Sequence, residues 1–233
     1  RREQIIMSHP TVIDRPSPNT DDRPANGTID ILLLHYTGMQ SAGASLERLC
    51  DPEAKVSAHY LIDEDGTVYG LVDEARRAWH AGVSYWEGAT DINARSIGIE
   101  LQNPGHEFGY RPFPEAQMVS LMDLCHGILT RHPIPPDRVL AHSDVAPQRK
   151  EDPGELFNWK RLAEAGIGRL PNTAVTAADP DDQEARTRLT GIGYDPEAPL
   201  DAVITAFQRH HRQTQVNGVI DAETMSLIQG LSE

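Results

Sequence analysis

Cysteine is scarce in this sequence, which has only Cys50 and Cys125 among its 233 residues. Two cysteines do not define a disulfide framework, and no disulfide is inferred from them. Cys125 lies in an apolar pattern of helical spacing, where a free buried thiol is common. The cysteines therefore do not indicate whether the protein works in an oxidising or a reducing compartment.

Long apolar runs are missing, and positive charge is in short supply. No segment approaches the roughly 20 apolar residues that a membrane-spanning helix needs. The chain has 35 acidic side chains against 21 Lys and Arg, for a formal net charge of −14. Nucleic acids and anionic membrane surfaces attract basic proteins. The composition therefore argues against nucleic acid as a partner and against a membrane span.

The sequence also lacks an initiator methionine, because it opens Arg-Arg-Glu-Gln-Ile-Ile before Met7. Its start contains no apolar stretch of the kind found in a secretory signal. A signal that has been removed would place the protein in the cell envelope, in the periplasm. A natural start at Met7 would place it in the cytoplasm. Both locations remain expectations.

Apolar periodicity and turn residues predict strands that alternate with helices, which is typical of an α/β domain. The predicted strands are Ile29–His35, Ala58–Asp63, Thr67–Val72, Ser96–Gln102 and Arg138–His142. The second and third form a hairpin around Glu64-Asp65-Gly66. The predicted helices are Pro114–Arg131, Gln183–Leu189, Pro199–His211 and Asp221–Leu231.

Shifts in composition divide the chain into four parts. Residues 1–27 are rich in proline and polar side chains, and we expect an extended arm over the surface. Residues 28–170 carry the α/β pattern. Residues 171–182 have few side chains that could pack and are predicted to be a linker. Residues 183–233 are predicted to form a bundle of three short helices, near the lower size limit for independent folding.

Two histidines and an aspartate are candidate metal ligands. His35 and His142 each end a predicted strand, and Asp152 follows ten residues after His142 in a turn-rich loop that can fold back. Two histidines and one carboxylate can hold zinc and leave a fourth position open for water, as catalytic zinc sites do. Taken singly, each residue has an ordinary alternative, a hydrogen-bonded core histidine or a turn-capping aspartate.

Glu100 and Lys150 are the candidate catalytic groups. Glu100 is a charge inside the apolar strand Ile97-Gly-Ile-Glu-Leu101, and a buried carboxylate is costly unless it is paired or functional. If it faces the cleft, desolvation would raise its pKa toward the range suited to a general base. Lys150 could stabilise a developing oxyanion. The alternatives are a salt-bridged glutamate and a solvated surface lysine.

Other candidates are weaker. Trp79 and His80, beside a glycine, are predicted to line a substrate groove, and Tyr36 and Asn103 are added as substrate-binding candidates. His59 is expected to be structural or to support the site from behind. The remaining histidines have no arrangement that distinguishes them: His9, His106, His126, His132, His210 and His211.

Five segments together resemble the zinc-dependent N-acetylmuramoyl-L-alanine amidases of the type 2 amidase family, which are related to peptidoglycan recognition proteins. They are Leu34-His-Tyr-Thr-Gly38, Ser57-Ala-His-Tyr-Leu-Ile62, Trp79-His-Ala-Gly82, Ser96-Ile-Gly-Ile-Glu100 and the stretch from His142 to Gly154. The resemblance covers residues 28 to about 165. It implies an α/β domain with a mixed central β-sheet flanked by helices. It also implies one Zn²⁺ per chain on His35, His142 and Asp152, with Glu100 as general base and Lys150 as oxyanion stabiliser.

The last fifty residues resemble the peptidoglycan-binding domain type 1, a three-helix module. Three segments carry this likeness: Leu189-Thr-Gly-Ile-Gly-Tyr194, Ala206-Phe-Gln-Arg-His210 and Gly218-Val-Ile-Asp-Ala-Glu-Thr224. The short segment Pro196-Glu-Ala-Pro199 before the middle helix departs from the pattern of that domain. Two expectations therefore stand, a module that binds the cell wall and one that only packs on the catalytic domain.

The resemblance implies hydrolysis of the amide between N-acetylmuramic acid and L-alanine, with peptidoglycan or (anhydro)muropeptide fragments as partners in bacterial cell-wall turnover or recycling. Two rival functions are a non-catalytic muropeptide-recognition protein and a zinc peptidase that cuts within the stem peptide. A recognition protein would have lost a ligand, whereas all three ligands, the base and the lysine are present here. Polymeric and soluble substrates both remain open, and a monomer is favoured.

Overall fold

The computed structural model describes residues 10–174 and 179–232. Its strands are β1 (Val12–Asp14), β2 (Thr20–Asp22), β3 (Ile31–Tyr36), β4 (Tyr60–Ile62), β5 (Val68–Gly70), β6 (Arg76–Ala78), β7 (Ser96–Leu101) and β8 (Val139–Ala141). Its helices are α1 (Ala42–Cys50), α2 (Ile92–Arg95), α3 (Gly105–Phe108), α4 (Glu115–Arg131), α5 (His142–Val145), α6 (Trp159–Glu164), α7 (Asp182–Ile192), α8 (Leu200–His211) and α9 (Ala222–Ser232). Within these residues, none of the helices is both long enough and apolar enough to cross a bilayer.

Six strands form one mixed sheet in the order β1-β5-β4-β7-β3-β8, which confirms the predicted α/β fold with a mixed central sheet. β4, β7, β3 and β8 are parallel neighbours, and β5 is antiparallel to β4. The predicted hairpin thus becomes β4 and β5. β2 and β6 form a separate antiparallel pair. The long predicted helix is α4, which begins one residue later than expected, after Pro114.

The described part of the N-terminal arm, residues 10–27, does more than lie over the surface. β1 pairs in parallel with β5 and forms one edge of the sheet, while β2 pairs with β6. The side chains of β1 are exposed, so backbone hydrogen bonds rather than burial hold this strand. β1 and β2 have three residues each, too few to show an alternating pattern, which explains why strands were not predicted there. Residues 1–9 lie outside the described part.

The two faces of the sheet are covered by different helices. The first five residues of β3, from Ile31 to His35, are buried. The side chains of this strand alternate between the faces because successive residues in a strand point to opposite sides. Leu32 and Leu34 pack with α4 and α6, in a core that includes Leu121, Ile128 and Leu162. The parallel strands are therefore buried on both sides, as is usual for parallel sheets.

The three C-terminal helices share the core on the opposite face. Ile31, Leu33 and Leu140 of the sheet belong to the same buried cluster as Phe207 of α8 and Ile228 of α9. The ring centroids of Trp86 and Tyr194 lie 5.0 Å apart in an edge-to-face contact. Residues 183–232 thus bury their apolar faces against the sheet. Of the predicted linker, residues 175–178 lie outside the described part, and the Asn172 N–H donates to the carbonyl of Gly230 in α9.

This shared core predicts that the chain unfolds as one unit. Phe207→Ala removes a fully buried ring, so we expect it to lower the free energy of unfolding by about 3–5 kcal/mol. Urea denaturation should show one transition, with its midpoint at a lower urea concentration than in the wild type. Val219→Ala, at a position that is 57% exposed, is the control and should change little. Two separate transitions, with only one of them lowered, would show that the C-terminal helices fold independently.

Candidate active site

The candidate site lies where three parallel strands end side by side. β3 runs between β7 and β8, and the register places His35 directly opposite Glu100. On the other side Leu34 pairs with Ala141, so His142 follows at the level of His35. Carboxyl ends of parallel strands meet at one edge of a sheet, where ligands commonly bind. The register therefore brings together three residues that are far apart in sequence.

The side chains of His35, His142 and Asp152 form a compact triangle. His35 Nδ1 lies 2.9 Å from His142 Nδ1 and 3.1 Å from Asp152 Oδ2, and His142 Nδ1 lies 3.0 Å from the same oxygen. Ligand atoms about 2.0 Å from a tetrahedral zinc ion are separated by roughly 3.3 Å. All three side chains are buried. These are the described His, Cys, Asp and Glu residues that converge closely enough to hold a metal ion.

The electrostatics of the triangle suit a metal ion. Burial, followed by the neighbouring His142, lowers the pKa of His35 to about 4, so its imidazole is neutral at pH 7. Burial alone would raise the pKa of Asp152, but the two neighbouring histidines, His142 and His35, hold it well below its usual value. The Nε2 of His142 lies 3.0 Å from the carbonyl of Ala81, which can only accept, so Nε2 carries the proton and Nδ1 presents its lone pair. Neutral imidazole nitrogens and a carboxylate oxygen are the ligand atoms that zinc takes.

Glu100 lies beside the triangle with an unsatisfied carboxylate oxygen. Its Oε2 is buried and makes no hydrogen bond to any of the described residues. Burial and then the charge of Asp152 raise the pKa of Glu100 well above its usual value, while Lys150 opposes this shift. A buried polar atom without a partner is rare and calls for a functional explanation. A carboxylate with a raised pKa can exchange a proton with a reacting group at neutral pH.

A cleft of about 650 Å³ opens over these residues. Its lining includes the three candidate ligands, Glu100, Lys150 and Tyr36, and the hydroxyl of Tyr36 lies 3.0 Å from His106 Nδ1. Helix α8 supplies part of one wall through Ala202, Thr205 and Arg209. The C-terminal helices therefore contribute to the cleft as well as to the core.

Three of the predicted substrate-binding residues lie elsewhere. Trp79 is half-buried outside the cleft lining, and its backbone is bonded to Ser57. Asn103 is fully buried, with its amide donating to the carbonyl of Arg111 and accepting from the Gly105 N–H. His80 is buried behind His35. All three residues lie outside the lining of the cleft, so the structure does not place them in the groove, and their role in substrate binding stays a prediction.

His59 lies behind His80, with ring centroids 5.7 Å apart, and does not contact the ligand triangle. Its Nδ1 accepts the Gly98 N–H at 3.0 Å, and its Nε2 lies 3.1 Å from the carbonyl of Arg76. It therefore ties β7 to the strand β6. His59 thus lies behind the site, and its structural role stays a prediction.

Sequence reasoning did not single out Asp144, which anchors the loop that carries His142 and Asp152. Its fully buried carboxylate accepts from the Ala141 N–H at 2.8 Å and from the Tyr194 hydroxyl at 2.7 Å. His210 Nδ1 of α8 lies 2.7 Å from the same carboxylate. Further along the loop, Arg209 Nη2 lies 3.2 Å from Glu151 Oε1. Partners 50 and 66 residues away leave no local signal, although Asp144 itself is two residues after His142.

Comparison with known proteins assigns the family. The model of the N-acetylmuramoyl-L-alanine amidase family, Amidase_2, matches residues 25–155, more than half of the chain. The chain belongs to this amidase family. Members are generally zinc-dependent, and the triangle of His35, His142 and Asp152 is a possible metal site.

Individual relatives share different lengths of the chain. N-acetylmuramoyl-L-alanine amidase AmiD of Escherichia coli K12 is 39% identical over 236 residues, covering 88% of this chain and 83% of AmiD. The 1,6-anhydro-N-acetylmuramyl-L-alanine amidase AmpD of Haemophilus influenzae is 36% identical and covers 62% of this chain and 86% of AmpD. A structure of E. coli AmiD with its substrate anhydro-N-acetylmuramic acid-L-Ala-D-γ-Glu-L-Lys superposes with a TM-score of 0.81, at 38% identity and 91% coverage of each chain.

The buried Asp144 cluster predicts a coupling between the C-terminal part of the chain and the loop that carries His142 and Asp152. Tyr194→Phe removes one hydroxyl and leaves a buried carboxylate oxygen without its donor, so we expect a loss of about 1–3 kcal/mol in the free energy of unfolding. Urea denaturation measures it. Tyr69→Phe is the matched control, since that hydroxyl makes no hydrogen bond within the described residues. Equal stabilities of the two variants would contradict the coupling.

Proposed function

We propose that this amidase binds one Zn²⁺ per chain on His35, His142 and Asp152 and cleaves the amide between N-acetylmuramic acid and L-alanine. The observation that carries the proposal is the meeting of three buried ligand atoms, 2.9–3.1 Å apart, beside a carboxylate with an unpartnered oxygen. When bound, zinc lowers the pKa of a coordinated water and polarises a carbonyl. A recognition protein would not need Glu100 at this position, whereas a zinc peptidase would need the same base and is distinguished by its products.

In this mechanism Glu100 moves the proton. Its carboxylate takes a proton from the attacking water, and the resulting hydroxide bonds to the carbonyl carbon of the lactyl group. The raised pKa lets the carboxylic acid form persist long enough to return that proton to the departing L-alanine nitrogen. The carbon–nitrogen bond then breaks, giving a free muramic acid carboxyl group and a peptide with a free amine.

Lys150 is proposed to stabilise the oxyanion. It lines the same cleft as Glu100 and lies close enough for its charge to influence the pKa of both Glu100 and His35. A positive group that is already in place when the carbonyl oxygen becomes negative lowers the barrier without reorganisation. Tyr36 remains the one proposed substrate-binding residue that lines the cleft.

We also propose a soluble muropeptide as the preferred substrate. The structure of E. coli AmiD matches 91% of this chain, and it is a complex with an anhydromuramyl tripeptide substrate. The C-terminal helices resemble the peptidoglycan-binding domain type 1, but they bury their apolar faces against the sheet and form part of the cleft wall. We infer that packing is their first role, and that retention on polymeric wall is secondary.

The base assignment predicts the behaviour of Glu100→Gln. This change keeps the size of the side chain and removes its capacity to take a proton, so turnover should fall by about 10²–10⁴-fold. Zinc content, measured by elemental analysis, should stay near one per chain. Glu164→Gln, at an exposed acidic residue of α6, is the control and should keep full activity. A fully active Glu100→Gln enzyme would exclude this residue as the base.

The reaction and substrate are tested by mass spectrometry of products. We expect release of intact stem peptides that begin with L-alanine, faster from a soluble anhydromuropeptide than from purified peptidoglycan, and abolished by a zinc chelator. Cleavage within the stem would identify a peptidase instead. Zinc-loaded protein that releases nothing from either substrate would indicate a recognition protein.

A further inference from the structure

Behind the ligand triangle lies a third histidine, His80, with no assigned role in the chemistry. His35 uses Nδ1 toward His142 and Asp152, and its other nitrogen, Nε2, lies 3.0 Å from His80 Nδ1. His80 Nε2 in turn lies 3.2 Å from the hydroxyl of Ser96. That hydroxyl lies 2.7 Å from the carbonyl of Ile92. Four groups thus form one continuous buried chain of hydrogen bonds.

The direction of each bond follows from the last member of the chain. The carbonyl of Ile92 can only accept, so the Ser96 hydroxyl donates its single proton to it and must accept from His80 Nε2–H. A neutral imidazole carries one proton, which leaves His80 Nδ1 as an acceptor for His35 Nε2–H. His35 Nδ1 is then left with a lone pair. This series of hydrogen bonds therefore selects the tautomer of His35 whose Nδ1 is free to bind a metal.

Ala81, the residue after His80, fixes the tautomer of the other candidate histidine ligand, His142, in the same way. The carbonyl of Ala81 lies 3.0 Å from His142 Nε2. The backbone N–H groups of His80 and Ala81 both donate to Asn93 Oδ1, at 3.0 and 2.8 Å. The segment His80-Ala81, which the side-chain amide of Asn93 holds in place, thus contacts the Nε2 atoms of both candidate histidine ligands.

Strand β7 is shaped to accept the ring of His80. Ser96, Gly98 and Glu100 lie on one face of this strand, because alternate residues share a face. A Cβ atom at Gly98 would lie 2.4 Å from His80 Nδ1, closer than atoms can approach. Glycine at this position is therefore what lets the imidazole lie against the sheet behind His35. The motif Ser96-Ile-Gly-Ile-Glu100 combines an acceptor for His80, room for its ring and the candidate base.

We propose that His80 is a positioning residue for metal binding, which accepts the His35 Nε2–H and so presents the His35 Nδ1 lone pair to the metal. The proposal rests on the proposed zinc site. Partners behind a metal-bound histidine fix its tautomer and ring orientation, and their loss commonly costs 10–100-fold in metal affinity. His80 touches neither the cleft nor the reacting atoms in this arrangement, so its effect passes through His35.

The test compares zinc affinity, measured by competition with a chromophoric chelator, for two substitutions. His80→Leu introduces an apolar side chain of similar bulk and removes the acceptor, and we expect zinc to bind about 10–100-fold more weakly. His80→Asn retains a short side chain whose amide oxygen can accept the His35 Nε2–H, so it should recover much of the lost affinity. Equal affinity of wild type and His80→Leu would overturn the proposal.

His59→Leu is the matched control for the loss of a buried histidine. His59 is fully buried and adjacent to His80, but it bonds to Gly98 and Arg76 instead of a ligand. We expect it to lower thermal stability while zinc affinity stays near wild type. If His59→Leu weakened zinc binding as much as His80→Leu, the effect would reflect general loss of packing, and the positioning role would be wrong.

The tautomer itself gives a readout that packing alone would not move. Imidazole ¹⁵N chemical shifts of the metal-free protein should show His35 protonated at Nε2 in the wild type and a mixture of tautomers in His80→Leu. Should His80→Leu fail to fold, Ser96→Ala keeps the ring and removes only the hydroxyl that orients it, and zinc binding should still weaken. A single unchanged His35 tautomer in the folded variant would contradict the proposal. Wild-type protein that binds no zinc would instead refute the proposed function.

Discussion

The register of β3 between β7 and β8 is the constraint on which the rest of the site depends. It sets His35 opposite Glu100 on one side and one step from His142 on the other. A slip of one residue in either pairing would turn one of these side chains to the opposite face, because strand side chains alternate. The fully buried apolar residues of β3 oppose such a slip, since each face packs against its own set of helices. The same burial that stabilises the sheet therefore aligns the chemistry.

Burial also assigns different protonation states to neighbouring groups. Desolvation lowers the pKa of His35 and raises that of Glu100, because it disfavours whichever form is charged. Asp152 experiences the same desolvation, but its contacts with His35 and His142 outweigh it and keep the carboxylate ionised. One small region thus holds a neutral imidazole, an ionised ligand and a carboxylate suited to proton transfer. These three states are what a metal-assisted hydrolysis needs.

The C-terminal helices are part of this arrangement. Tyr194 and His210 meet at the buried carboxylate of Asp144, two residues after His142, while Arg209 contacts Glu151 next to Asp152. The loop that carries two candidate ligands is therefore held from outside the matched family region as well as by β8. AmpD of H. influenzae aligns with only 62% of this chain, whereas AmiD of E. coli aligns with 88%. Tyr194 and His210, the two partners of Asp144, both lie after the matched family region, which ends at residue 155.

The sequence by itself determined the α/β class, the positions of most strands and helices, and the candidate residues His35, His142, Asp152, Glu100 and Lys150, because periodicity and short motifs are local. Only the tertiary structure decided that residues 10–27 add strands, that Trp79 and Asn103 lie away from the cleft, and that His80 contacts His35. Strand pairing and side-chain direction depend on groups brought together from distant parts of the chain. No local pattern records which partner a buried nitrogen or carboxylate will meet.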